Sequence, residues 1–417
     1  MFPKIFLTII FLFAFLYPAH AQFDILNKAK EKVEEKAKEK TDEAIDKATE
    51  PKEEEKEAEE KDNKNEEMNK DENKSVQKTD ELKSYSKYDF VPGDQVLYFE
   101  DFSLDNVGDF PALWNTNSSG EVVTLNNYPG NWFQPGVEGA FVPEVKGSFG
   151  ENFTMEFDII YSPVSPSNLP SIDIIFYSAM KGESILSNAP QNGGCAFRIG
   201  PYNLSAWNWD DEESGGIDNT KDNEFFNNNK NKIVHIAFAF QKQRVRSWVN
   251  ENKIYDLPKL LKSGVVIDQF KFLTGSTDDS NPYVYIKNLR VAVGKPDMRS
   301  KLLTDGKLVT HGILFDVNSD KVKPESYGTL KEIAKVLKDN PNVKVKIVGH
   351  TDSDGDEKSN LDLSKRRSAS VKNSLTDEFG IEAVRMETDG KGEAEPVSDN
   401  NTPEGKANNR RVEFIKL

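Results

Sequence analysis

The segment G-H-T-D-S-D-G-D-E-K-S-N-L-D-L-S-K-R-R-S-A-S-V, residues 349–371, holds carboxylates, a glycine, an asparagine and an arginine pair within one loop and half a helix. The run from about Ser359 to Phe379 predicts a helix, with Ser359 and Asp362 as its capping box and Leu363, Val371 and Leu375 as its apolar seam. Asn360, Leu363 and Arg367 then share one helix face. Helical side chains lean toward the N-terminus, so the Arg367 guanidinium is directed at the helix start, where Asp352 lies across a turn at Gly355. A carboxylate, a planar bidentate donor and the exposed N–H groups of a helix N-terminus make a site of mixed charge. Such a site suits a zwitterion, with the ligand carboxylate on Arg367 and the backbone N–H groups and its ammonium on Asp352. Two other readings stand beside it. Taken alone, Asp352 and Arg367 are an ion pair that holds the loop. A calcium loop counted from Asp352 needs Gly at the sixth position and Glu at the twelfth, where this chain has Glu357 and Leu363, so calcium is excluded.

The elements that must position these residues follow from the surrounding period. G-I-L-F-D-V (312–317) reads as a strand. A helix then carries Tyr327, Leu330, Ile333, Ala334 and Leu337 on one face, with Pro324 at its start and Pro341 past its end. V-K-V-K-I-V-G alternates as a second strand, and V-R-M-E-T-D-G-K and R-R-V-E-F-I-K-L supply the last two. The pattern is βαβαββ, a small α+β domain over residues 301–417. Asp352 sits just beyond the carboxyl end of its second strand, a common place for ligand groups.

Four blocks in order, I-L-F-D-V-N-S-D-K-V-K-P-E-S, the 349–371 segment, G-K-G-E-A-E-P and N-N-T-P-E-G-K-A-N-N-R-R-V-E-F, resemble the OmpA-like peptidoglycan-binding domain family over roughly residues 308–417. The resemblance implies that Asp352 and Arg367 clamp the diaminopimelate residue of the peptidoglycan stem peptide. It also implies that Asn360, Leu363 and the Arg410 and Arg411 region line or support the site. This chain departs from the family pattern at Ser359, Ser368 and the acids Asp354, Asp356 and Glu357. Those extra acids oppose a ligand that carries several carboxylates.

Charge and composition divide the rest of the chain. The formal net charge of the 417 residues is −16; residues 22–90 carry 16 Lys and Arg against 23 Asp and Glu, and residues 301–417 carry 20 against 21. No basic stripe exists to bind phosphates, which excludes nucleic acid as a partner. Residues 1–21, with Lys4, an apolar run from Ile5 to Tyr17 and the A-x-A ending at Ala21, read as a secretory signal peptide. That run is too short for the roughly 20 residues that cross a bilayer, so the mature chain is expected to have no transmembrane segment. Residues 22–89 read as a charged helical or disordered tether, with a thin apolar stripe from Leu26 to Ala48. The one cysteine, Cys195, reads as a small core residue, and no cysteine follows the signal to carry a lipid anchor.

Residues 90–297 hold all five tryptophans and many short alternating segments separated by Gly, Asn, Pro and Asp, which predicts an all-β antiparallel sandwich. F-E-D-F-S-L-D-N-V-G-D-F-P-A-L-W and Y-I-K-N-L-R-V-A-V resemble the first and last strands of jelly-roll-like concanavalin or laminin-G lectin sandwiches. Glycosidases of that fold use a row E-x-D-x-x-E; here Glu156 and Asp158 are present and Tyr161 takes the third place. Without the third carboxylate, the preferred reading is two exposed acids on the solvent face of a strand. Trp207 and Trp209 are the candidate contacts for a sugar or protein ligand. His235 has no second His at ligand spacing, so no metal is assigned, and no cofactor either. The sequence thus points to a non-enzymatic exported protein of a Gram-negative periplasm and envelope, associated with the outer membrane and held on peptidoglycan. Its sandwich would bind a glycan or an envelope protein. The alternative is a wall-tethered polysaccharide hydrolase.

Overall fold

The computed structural model describes residues 88–162, 171–179, 186, 193–200, 202–210, 217–222, 228–276, 284–294 and 297–417. The expected signal segment, and the tether up to residue 87, lie outside the described residues.

The central region is two antiparallel sheets that share one core. The first orders its strands Asn252–Leu257, Arg244–Val249, Ile233–Gln241, Asn152–Tyr161, Val284–Val293, Tyr128–Pro135 and Gly120–Leu125, with Gln95–Glu100 also paired to Val284–Val293. The second orders Asp218–Asp222, Asn203–Asp210, Gly193–Ile199, Ile172–Tyr177, Gln269–Thr274, Ala140–Pro143 and Trp114–Thr116. Alternation explains the core: Phe153, Met155, Phe157, Ile159 and Tyr161 enter it from one strand, facing Ile174, Phe176, Phe197, Phe270 and Phe272 of the other sheet. Aromatic rings dominate the contacts: Phe153 stacks on Phe240 of the neighbouring strand at 4.2 Å, and Phe157 lies edge-on to Phe272 of the other sheet at 5.2 Å. Truncating one such ring costs about 3–5 kcal/mol. Cys195 is fully buried in this core, and burial pushes its thiol pKa up, as expected of a packing residue.

The outer face of the first sheet departs from the expectation. Asn152–Tyr161 is buried on both sides, so Glu156 and Asp158 are not exposed acids; they are 4% and 6% exposed. Residues 88–93 lie across this face: Tyr88 and Phe90 pack on Ala237, Ala239 and Trp248, whose small and flat side chains leave room for them. Asp89 fixes that strap by accepting from Trp248 Nε1 (3.0 Å) and Lys253 Nζ (2.5 Å), and Gly93 N donates to Thr154 Oγ1 (2.9 Å). The C-terminal region closes over the strap. A Cβ at Gly328 would collide with the Phe90 carbonyl oxygen, so glycine is what permits this close approach.

After Asp297, which caps helix α1 (Met298–Leu303), comes a strand Lys307–Thr310, a turn of 3₁₀ helix Pro324–Ser326 and helix α2 (Tyr327–Asp339). Then follow the strand Val345–His350, helix α3 (Glu357–Asp377), the strand Met386–Gly392, helix α4 (Pro403–Asn409) and the strand Val412–Lys416. The sheet order is Lys307–Thr310, Val412–Lys416, Val345–His350, Met386–Gly392; only the last pair is parallel. Two elements differ from the sequence reading. The first strand is Lys307–Thr310, and the expected strand at 312–317 makes a single bridge, Phe315 to Val322. Helix α4 is additional. Its seven residues hold little apolar pattern, although Thr402 as N-cap and Pro403 in the first turn mark its start.

Candidate functional site

The strand Val345–His350 delivers Thr351 and Asp352 to a loop, and Gly355 turns it at φ +98°. Helix α3 begins one turn earlier than expected. Its cap is the Asp356 carboxylate, which accepts from Ser359 N at 3.0 Å, and not a Ser359 capping box. Asn360 ties the loop to the helix: its Nδ2 donates to Asp354 O (3.1 Å), to Asp352 O (3.4 Å) and to Glu393 Oε2 (2.5 Å). The buried side of α3 is Asn360, Ser364, Ser368, Val371 and Leu375, so Leu363 is only half-buried and does not belong to the seam assigned to it. The physical reason is the sheet beneath. A Cβ at Gly349 would strike the Ser364 carbonyl oxygen, and Ser364 Oγ accepts from Gly392 N (2.9 Å). Helix and sheet lie too close for leucine there, and Ser368, one of the departures, returns its hydroxyl to Lys365 O (2.8 Å).

Asp352 is 8% exposed, and its ion pair is made with Arg410, not with Arg367: Arg410 Nη1 lies 2.5 Å from Asp352 Oδ2. Asp352 Oδ1 accepts from Asp354 N at 3.2 Å. Arg367 instead donates from Nε to Ser319 O (3.0 Å) and from Nη2 to Asp316 O (3.3 Å), and its guanidinium stacks on the Phe315 ring at 4.8 Å. These bonds leave the rest of its donor fork uncommitted among the described residues. Burial lowers the Arg367 pKa; Asp352 is the strongest charge acting on it and raises it, with Arg410 opposing. Asp352, Arg367 and Arg410 thus form one electrostatic group with one more positive than negative charge.

Arg411 faces the other way. It is 4% exposed and donates to Glu413 Oε1 (2.9 Å), Glu395 O (3.0 Å) and Asn409 O (3.3 Å). Glu413 also meets Lys307 Nζ (2.8 Å) and His350 Nε2 (3.5 Å). Burial alone would raise the Glu413 pKa, but His350, Lys307 and Arg411 together pull it down to about 2. Arg411 is thereby committed to Glu413 and two backbone carbonyls. The loop acids are locally occupied: Asp354 pairs with Lys406 (2.7 Å), Asp356 caps α3, and Glu357 stands in its first turn.

In the sandwich, Trp209 is buried against Ile175, Tyr177 and Ala196 on the face opposite the shared core, which corrects its assignment as an open ligand contact. Trp207 on the same face keeps partial exposure, with the Arg198 guanidinium 5.4 Å from its ring. Glu156 and Asp158 enclose His235, whose Nε2 is 3.2 Å from Glu156 Oε2 and whose Nδ1 is 2.8 Å from Asp158 Oδ1. Arg290 Nε donates to Glu156 Oε1 (2.8 Å) and Asn288 Nδ2 to Asp158 Oδ2 (2.7 Å). Burial works against the imidazolium, but the two carboxylates raise the His235 pKa to about 10, and both carboxylates are held below their ordinary range. This is a buried ion network, in which both acids are paired.

Comparison with known proteins places the C-terminal segment. Residues 314–410 match the model of the OmpA family. Outer membrane porin F of Pseudomonas aeruginosa is 44% identical over 101 residues, covering 24% of this chain and 29% of the porin. The probable lipoprotein YiaD of Escherichia coli is 43% identical over 104 residues, covering 25% of this chain and 47% of the lipoprotein. The chain thus spans less than half the length of either relative. The crystal structure of the peptidoglycan-associated lipoprotein from Burkholderia pseudomallei aligns with 25% of this chain and 88% of its own at 28% identity and a TM-score of 0.24. The C-terminal segment carrying Asp352, Arg367 and Arg410 is an OmpA-like domain.

Proposed function

We propose that this protein binds peptidoglycan non-covalently through Asp352 and Arg367, taking the diaminopimelate residue of the stem peptide, and so is held in the cell envelope of a Gram-negative periplasm. The observation that carries the reading is the charge arrangement of Asp352, Arg367 and Arg410. The Asp352 carboxylate, held by Arg410 and Asp354 N, acts electrostatically on the Arg367 guanidinium, part of whose donor fork is uncommitted among the described residues. The ammonium of the ligand goes to Asp352, and its carboxylate to the open part of the Arg367 guanidinium, the first-turn N–H groups being taken by the Asp356 cap. The net positive balance of the three charged groups favours the several carboxylates of a stem peptide, and pairing of Asp354 with Lys406 removes much of the repulsion that the loop acids suggest. The relatives support an envelope reading, since one is an outer membrane porin and another a probable lipoprotein. The sandwich would then present a second face to a glycan or an envelope protein, with Trp207 as its contact.

Co-sedimentation of the purified chain with diaminopimelate-type sacculi tests this. The natural chain is expected to pellet, and Asp352→Ala and Arg367→Ala to bind at least about tenfold more weakly, because hydrogen bonds to charged groups contribute about 1.5–3 kcal/mol. Folded variants that pellet like the natural chain would remove the site from the reading.

A further inference from the structure

The sandwich reaches the clamp. Its strand Gln95–Glu100 pairs with Val284–Val293 but skips Leu97, since Val96 lies opposite Ala292 and Tyr98 opposite Val291. Such a bulge re-aims the side chains that follow it. Tyr98 enters the sandwich core, and Phe99 meets Arg410, whose guanidinium lies 5.0 Å from the ring centroid. Arg410 in turn grips Asp352.

The contact is anchored on both sides. Asn408, two residues before Arg410, bonds the backbone of Val96 in both directions: Nδ2 donates to Val96 O (3.0 Å) and Oδ1 accepts from Val96 N (3.2 Å). The Asn408 carbonyl lies 3.0 Å from His311 Nε2, and the His311 carbonyl accepts from Arg290 Nη1 of the sandwich at 2.8 Å. The α4 segment is thereby pinned to the strand that carries Phe99, and Arg410 has little freedom to leave the ring.

We propose that Phe99 is a positioning residue of the binding site: the sandwich completes the clamp by holding Arg410 where it orients Asp352 and offers its remaining donors to a ligand carboxylate. The proposal rests on the peptidoglycan reading above. An arginine side chain has several rotatable bonds, and immobilising it at the moment of binding would weaken affinity; stacking on Phe99 fixes it beforehand. The ring face, rather than mere volume, does this, because the attraction is between a cation and the aromatic quadrupole.

The test uses the whole chain. Sacculus binding is titrated for the natural protein, Phe99→Leu, Phe99→Tyr, Arg410→Gln and the double variant Phe99→Leu/Arg410→Gln, with thermal unfolding as a folding control. Phe99→Leu is expected to bind about 2- to 5-fold more weakly, the range a cation–π contact at a half-exposed site supports. Phe99→Tyr should bind as the natural chain does, and Phe99→Leu should add no loss once Arg410 is Gln. Phe99→Leu binding as tightly as the natural chain, or more tightly, overturns the proposal, as does an equal loss in the Arg410→Gln background. A readout that needs no ligand is the Arg410 guanidinium NMR resonance, which the ring current of Phe99 displaces. If the natural chain does not pellet but this displacement vanishes in Phe99→Leu, the peptidoglycan reading has failed while Phe99 still positions Arg410. If it does not vanish, the positioning itself is wrong.

Discussion

Two clusters of acids and bases, Glu156–Asp158–His235–Arg290 in the sandwich and Asp352–Arg367–Arg410 in the C-terminal domain, use the same residue types and differ in what they leave over. In the first, both carboxylates are matched by His235, Arg290 and Asn288 beneath a cover of Tyr88 and Phe90. In the second, Arg367 is held by two backbone carbonyls and an aromatic ring, and part of its donor fork stays open among the described residues. Charged residues close together do not make a site; uncommitted hydrogen-bonding capacity beside them does.

The comparison predicts opposite phenotypes, and the largest effect belongs to the buried cluster. Removing one partner of a buried ion pair leaves an uncompensated charge and costs about 3–5 kcal/mol. Glu156→Ala and His235→Leu should therefore lower the denaturant midpoint sharply, whereas Arg367→Ala, which breaks only two bonds to backbone carbonyls and a ring contact, should weaken sacculus binding at least about tenfold with a much smaller change in that midpoint. Equal stability losses at both clusters would erase the distinction.

The pH dependence sharpens it. His235 has a folded pKa near 10 against an ordinary 6.5, so its contribution is complete below about 6.5 and is lost as pH rises toward 10. Glu413 has a folded pKa near 2 against an ordinary 4.5, so its contribution is complete above about 4.5 and is lost as pH falls toward 2. Each can tilt the stability curve by at most about 1.4 kcal/mol per pH unit. Urea titrations from pH 3 to 9 should show the alkaline decline vanish in His235→Leu and the acid decline soften in Glu413→Gln. An alkaline slope that survives in His235→Leu would show that another group sets it.

The same contrast explains what could be read from the chain beforehand. Asp352, Gly355, Asn360 and Arg367 lie within 16 residues, and local helix geometry sufficed to set Asn360 against the Asp352 loop, while the Arg367 guanidinium, expected at the helix start, goes to Ser319 O and Asp316 O. The Asp352–Arg410 pair spans 58 positions and the Glu156–Arg290 pair 134, and no local period encodes such a meeting. Alternation in Asn152–Tyr161 correctly separated core from outer residues, but it carries no sign of a strap and a second domain lying on the outer face. Leu363 was misplaced for a related reason: the seam of α3 is made of Asn360, Ser364 and Ser368 because glycines in the sheet bring the backbone close, and polar seams do not stand out in a hydrophobic pattern.

The smallest predicted effect concerns the acidic loop. Asp354 and Lys406 form a pair whose side chains are 65% and 23% exposed. An exposed pair of this kind contributes only about 0.2–1 kcal/mol, so Asp354→Asn should leave both stability and sacculus binding within about twofold of the natural chain. Lys406→Ala, by contrast, frees the Asp354 carboxylate beside the site, and it should weaken binding modestly, more at low salt where screening is weak. Combining Lys406→Ala with Asp354→Asn should restore it. If Asp354→Asn alone strengthens binding several-fold, Lys406 does not neutralise the loop, and the acids that distinguish this chain lower the affinity of the clamp directly.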